Sequence, residues 1–403
     1  MPRSAGFNST IHKRLLDEAK SQPTPGSVRG PLPFLNPTRA RFPLATTAPD
    51  TLKAPESTER PATQDAQVEW RARDNRKGRH ILVVPHDHKS TDSPRLTRTA
   101  PAVLSGIWRM CTVFAWWNIS WWIGVLFSVG SAIFVVCGFF YWLPLAAPST
   151  EFSGESVTGG GVTAFIGATL FEVGAVLLII EAVNENQTGC FGWAVDQAIR
   201  DHPDSDAEKQ GSTRGHAYRT DCSHHHGRSL HRTAHLQHPA AGRKWEWWPT
   251  WHELTHHYFF EIGFLASFTE AVGATVFYVS GIMSLPGIYD KISTPVLYGT
   301  YWLAYLVGGI LFIVSSVLYM LETQKTWWKP APSVIGWWIG VWNLIGSIGW
   351  TLSAAFGYCT PSWCEYQSDL SLIWASFAFL FGSLLLWYEA LDKYPVKRAA
   401  KYE

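Results

Sequence analysis

Six stretches of this 403-residue chain contain no lysine, arginine or histidine: residues 117–145, 162–183, 258–286, 296–321, 335–358 and 370–391. That absence excludes soluble surface helices there, because such helices show a polar stripe at every turn, whereas these are apolar around most of their circumference. Each stretch supplies the roughly 20 apolar residues that cross ~30 Å of hydrocarbon as a helix. A net charge of +1 and a mean hydropathy of −0.01 conceal the partition, since those averages would suit two soluble domains. The start, MPRSAGFNSTIHKRLLDEAK, lacks the apolar core of a signal peptide, so the first spanning helix is expected to direct insertion. Residues 1–105 are also poor in aromatics and rich in Pro, Ser, Thr and Arg. They bury too little apolar surface to offset chain entropy and read as a disordered tail, with Ile81 to Val84 as an incidental apolar run or, alternatively, a docking strand or peptide motif.

What is present is a repeat. The strings WWIGVLFSVGSAIFVVCG (121–138), FEIGFLASFTEAVGATVFYVSG (260–281) and WWIGVWNLIGSIGWTLSAAFG (337–357) are related. Each precedes a second apolar helix, and the ends of those helices align so that Glu181, Glu322 and Glu389 coincide. The chain therefore reads as all-α, a polytopic membrane protein of six transmembrane helices in three helical hairpins. The hairpins are residues 106–183, 258–322 and 323–403, the last including a short tail, with a His-rich linker over 184–257. Lys and Arg crowd the segment before the first span, the 184–257 linker, the 322–334 loop and the tail, while the other three loops hold only Lys291. Both termini are expected to be cytoplasmic. Many of the 22 tryptophans cluster at the same ends, as anchors at the headgroup boundary. Spans of this length lean toward a thicker, plasma-membrane type of bilayer.

Of the six cysteines, Cys359 and Cys364 lie in the loop YCTPSWCEY on the predicted outer side, where a local disulfide can persist. Cys111, Cys137, Cys190 and Cys222 fall in membrane or cytoplasmic positions. The triplets at Asn8, Asn118 and Asn186 lie on the cytoplasmic side, so no glycosylation is expected.

Three places could carry chemistry. Glu172 and Glu270 each lie about ten to twelve residues inside a span. Ionisable groups at that depth are costly unless they face the bundle interior. Two carboxyls close together would share a proton or hold a cation, which marks the pair as a transport-site candidate; the alternative is that each is neutral and hydrogen-bonded to a neighbouring helix. The recurring Glu181, Glu322 and Glu389 sit at the boundary and read as interfacial or interhelical contacts. The second place is the linker, which with its edge holds eleven of the fifteen histidines. Cys222, His224, His225, His226, His231, His235 and His238 suit zinc or a related metal by ligand chemistry, although a solvated, mobile linker is the preferred reading. The third is HELTH at 252–256, a His-Glu-x-x-His match. In a zinc hydrolase the histidines bind metal and the glutamate activates water. Here the motif lies in a Trp-rich lead-in, in a region dense with histidine and without an evident third ligand.

The run WHELTHHYFFEIGFLASFTEAVGATVFYVSGIMSLPGIYD, together with the WWIG repeats, resembles fungal multi-pass proteins described only as integral membrane proteins, over roughly residues 100 to 395. The resemblance implies a six-helix membrane body and assigns no functional residue. The acidic pair and the repeat point to transport or permeation of a small solute or cation. A non-catalytic membrane scaffold or lipid-organising protein is the alternative, and a zinc-dependent membrane protease a third. The lipid bilayer is the expected partner. No enzymatic activity, cofactor or nucleic-acid partner is expected.

Overall fold

The computed structural model describes residues 24, 26–43, 67–84, 96–200 and 245–399. Among the described residues it has four strands, β1 (Arg39–Pro43), β2 (Gln67–Arg71), β3 (Ile81–Val84) and β4 (Val396–Arg398), and ten α-helices of five or more residues. The helices are α1 (Ala72–Arg76), α2 (Ala100–Thr112), α3 (Ile119–Ala146), α4 (Gly161–Val183), α5 (Phe191–Arg200), α6 (Trp251–His256), α7 (Ile262–Met283), α8 (Leu303–Thr323), α9 (Ile335–Phe356) and α10 (Ser362–Leu391). Among the described residues six helices, α3, α4, α7, α8, α9 and α10, are long and apolar enough to cross a membrane. The chain is a multi-pass integral membrane protein.

The six spans close a ring. Each packs on two neighbours, in the order α3, α4, α7, α8, α9, α10 and back to α3. Between 44% and 56% of each apolar window is buried, so every span gives one side to the ring and the other to lipid. Val129, Val173, Val272, Ile310, Ile348 and Phe381 are among the exposed outward residues; such a band is tolerable only in hydrocarbon. Small residues let the backbones close up, since lipid tails offer no hydrophobic drive between helices. A Cβ at Gly124 would stand 2.6 Å from the Trp387 backbone, and one at Gly340 would stand 2.5 Å from Met320. Buried hydroxyls join neighbours as well: Ser131 with Ser383 at 3.4 Å, and Ser316 with Ser347 at 3.3 Å.

Aromatic side chains fill the middle of the ring. Trp350 of α9 is fully buried and lies 4.8 Å from Phe134, 5.3 Å from Phe171, 4.9 Å from Phe277, 6.0 Å from Phe312 and 4.5 Å from Phe379, centroid to centroid. Each of the six spans thus contributes one ring, in the tilted, edge-on or stacked contacts that aromatic quadrupoles favour.

A four-stranded sheet, ordered β1-β2-β3-β4, caps one mouth of the ring. Its first three strands are antiparallel, and β4, from the C-terminal tail, joins β3 in parallel, with Leu82 opposite Val396. Phe42, Val68, Leu82 and Val396 form its small core. The expectation of a disordered tail over 1–105 does not hold for β1, β2, β3, α1 or the start of α2: residues 81–84 are an interior strand rather than an incidental run. Their sequence is too polar to fold by apolar burial alone, and the bundle supplies the missing partners.

Candidate functional site: an ion-pair lock at one mouth of the bundle

The sequence RARDNRKGRH (71–80) follows β2 directly. Asp74 in the first turn favours helix initiation at α1. Gly78, at φ +60°, ends it, because only a residue without Cβ adopts that conformation cheaply. The resulting short turn is driven into the mouth of the ring. Arg73, Asp74, Asn75, Arg76 and Lys77 are each no more than 4% exposed.

Their partners are the three aligned glutamates. Arg73 donates from Nε and Nη2 to Glu389 at 3.2 and 2.8 Å. Arg76 donates from Nη1 and Nη2 to Glu322 at 2.7 and 2.9 Å. Lys77 donates to both oxygens of Glu181 at 3.4 and 3.1 Å, and Glu181 also accepts from the Ser120 hydroxyl. Arg79 reaches Asp74 at 2.5 Å, Glu389 at 3.2 Å and Asp392 at 3.2 Å. Four cations (Arg73, Arg76, Lys77, Arg79) face four buried carboxylates (Asp74, Glu181, Glu322, Glu389), so the buried charge balances. The Tyr319 ring lies under both arginines, 5.8 Å from Arg73 and 5.6 Å from Arg76. Gly263 and Gly336 lie against Arg76 and Arg73, leaving no room for a Cβ. Every span therefore touches the lock, α3 through Ser120, α7 through Gly263 and α9 through Gly336.

The charges are maintained by geometry. Burial opposes the Arg76 charge, yet the Glu322 carboxylate lifts that guanidinium above its ordinary pKa. The Lys77 ammonium, held by a single carboxylate, is lowered by the same burial. In the sheet, burial alone would raise the Glu69 carboxyl, but Arg71 and Lys397 hold it down at about 2.

The sequence-predicted residues are distributed differently. Glu270 lines a cavity of about 30 Å³ with Arg73, Arg76, Lys77, Tyr319 and Asn343 among its walls, enough room to hold water. The neighbouring Ser315 hydroxyl donates to the Ala266 carbonyl at 2.8 Å. Glu172 accepts instead from the Thr275 hydroxyl at 2.9 Å, and its second oxygen is buried without a hydrogen-bond partner. Thr275 lies on the exposed arc of α7 with Val272 and Val279. Five residues separate it from Glu270, roughly 140° around the helix. The two carboxyls thus lie toward different sides of α7.

In HELTH, Glu253 closes a capping box with Thr250, accepting from the Thr250 amide at 2.8 Å. His252 and His256 stack with ring centroids 4.2 Å apart. Among the described residues, no group of three or more His, Cys, Asp or Glu side chains is arranged to hold a metal. Cys222, His224, His225, His226, His231, His235 and His238 lie outside the described residues. Cys359 and Cys364 are joined as a disulfide. Compared with known protein families, curated proteins and solved structures, the chain matches none.

The lock was missed in sequence because its two halves lie 104 to 316 residues apart. The available signal was a dense basic run beside three recurrent glutamates. Removing one partner of a buried pair costs about 3–5 kcal/mol, so Glu322→Ala is expected to release the sheet. The readout is hydrogen exchange of residues 67–84, and protection equal to wild type would refute the lock. Restored protection in a charge-swapped Arg73→Glu, Glu389→Arg protein, against loss in either single variant, would establish the pairing.

Lys393 donates to the Lys77 carbonyl at 2.5 Å and to Thr188 at 3.3 Å. Burial pushes its ammonium down to about 7; Glu181 and Glu389 resist the shift, while Lys77 and Arg79 add to it. The docked value lies below the free value of about 10.4, so docking expels a proton between those two limits. Docking is expected to strengthen as pH rises from about 7 to about 10 and to level off below 7, with a slope of at most about 1.4 kcal/mol per pH unit. Protection of residues 72–84, corrected for intrinsic exchange, measures it. A decline across that window would contradict the assignment.

Proposed function

We propose that this integral membrane protein is a non-catalytic scaffold that organises the lipid around a solid six-helix ring. The observation that carries the reading is the aromatic centre: one ring from each span meets around Trp350, where a permeation path would need an open or polar axis. A groove of about 310 Å³ adds support, lined by Val276, Val279, Leu303 and Val307. Val279, Leu303 and Val307 are exposed, which suits a groove that faces lipid. Both termini are proposed to be cytoplasmic, from the distribution of Lys and Arg, and the plasma membrane is the proposed site. A second reading, transport of a small solute or cation, draws on Glu270, whose carboxyl lines the cavity beneath the lock.

Flux from liposomes separates the two readings. The scaffold is expected to pass no H⁺, Na⁺ or K⁺ above empty vesicles, either as wild type or with the lock opened by Arg76→Glu. Flux through Arg76→Glu that Glu270→Gln abolishes would replace the scaffold with a gated transporter. In intact cells, an antibody to a tag after Glu403 is expected to bind only after permeabilisation; binding before it would reverse the orientation.

A further inference from the structure

Helix α2 has no buried residue, although it is one of the more apolar segments outside the spans. Val103, Leu104, Ile107 and Trp108 are 39%, 66%, 49% and 69% exposed. At 100° per residue these four fall within an arc of roughly 140°, and Arg109 lies on the opposite side. The helix is seated on the bundle elsewhere, at Gly106, where a Cβ would collide with the Tyr388 ring of α10. That seat is roughly 130° around the axis from the middle of the apolar arc. The arc is therefore an unpartnered face on a helix whose position is already set.

We infer that α2 is an interfacial helix, lying along the membrane surface at the lock end with its apolar arc inserted among the phospholipids of that leaflet. Two observations select lipid rather than protein as the occupant. First, the face is continuous with the lipid-facing surface of the spans. Residues 113–118 lead from α2 straight into α3, Phe114 and Trp116 are 64% and 51% exposed on the way, and the Trp122 indole donates to the Trp116 carbonyl at 2.8 Å. Second, Arg98, two residues before α2, donates to the Ser333 carbonyl at 2.5 Å. That bond ties α2 to the loop carrying Trp327 and Trp328, which are 67% and 66% exposed. Indoles from two distant segments thus gather beside one mouth of the ring, as they do at a headgroup boundary. The consequence is mechanical. The leaflet holds α2, α2 abuts α10 through Tyr388, and α10 carries Glu389 one residue further on, so lipid contact and the lock share one helix end.

Photolabelling tests the insertion in the full-length protein. The chain is reconstituted into phosphatidylcholine liposomes containing a diazirine-bearing phosphatidylcholine, irradiated and digested, and the lipid adducts are mapped by mass spectrometry. Adducts on the 99–112 peptide are expected at a yield comparable to that on α3 peptides. The Leu104→Asp, Trp108→Asp protein should lose them by about tenfold while α3 labelling is unchanged. Both positions are exposed, so this variant does not disturb the packing of the ring. Labelling of α3 with none on 99–112 would overturn the inference. So would a benzoylphenylalanine at position 104 that crosslinks to a second copy of the chain rather than to lipid.

Discussion

A buried carboxylate costs several kcal/mol unless a cation and hydrogen bonds accompany it, and this ring buries three at one mouth. Glu181, Glu322 and Glu389 are at most 1% exposed. No lysine or arginine of the spans can answer them, because the spans contain none. The cations come from Arg73, Arg76, Lys77 and Arg79, in a segment that precedes the membrane body in sequence. That one requirement makes the polar N-terminal segment part of the bundle. The β-sheet depends on it in turn, because β2 and β3 flank the inserted turn and β4 is recruited from the chain's other end.

Ion pairs of this kind are weak evidence for net stability, since desolvation consumes much of what the attraction returns. Their stronger effect is on specificity. An arginine fork donates to a carboxylate in one geometry, and two forks on a single helical turn, Arg73 and Arg76, engage α10 and α8 simultaneously. Lys77 adds α4. A turn that grips three spans at once fixes their relative positions at that mouth, as the aromatic cluster around Trp350 does at the centre. The two devices divide the work by medium. Quadrupolar ring contacts suit the hydrocarbon depth, and charge pairs suit the end of the ring, where the sheet excludes water.

The six spans and the Cys359–Cys364 bridge were legible in the sequence. Each follows from local composition: an uncharged run of ~20 residues must be a helix in hydrocarbon, and two cysteines five apart around Pro361 lie within bonding reach. The recurrence of Glu181, Glu322 and Glu389 was equally visible, but its meaning was not. A carboxylate at a helix end reads as interfacial until the group that neutralises it is known, and that group lies up to 316 residues away.

Only the tertiary structure decided how the helices are arranged and what the polar segment does. Closure of α10 onto α3 brings the first and last spans together, a pairing that no local pattern encodes. The separation of Glu172 from Glu270 turns on roughly 140° of rotation about α7, and hydropathy carries no information about which arc of an all-apolar helix faces inward. The sheet is the clearest case. Residues 67–84 look like disordered chain because disorder is read from too little apolar burial, whereas here the driving contacts are charges that acquire their strength only when the bundle removes them from water. Sequence determined what each segment could tolerate around it; the fold determined which segment met which.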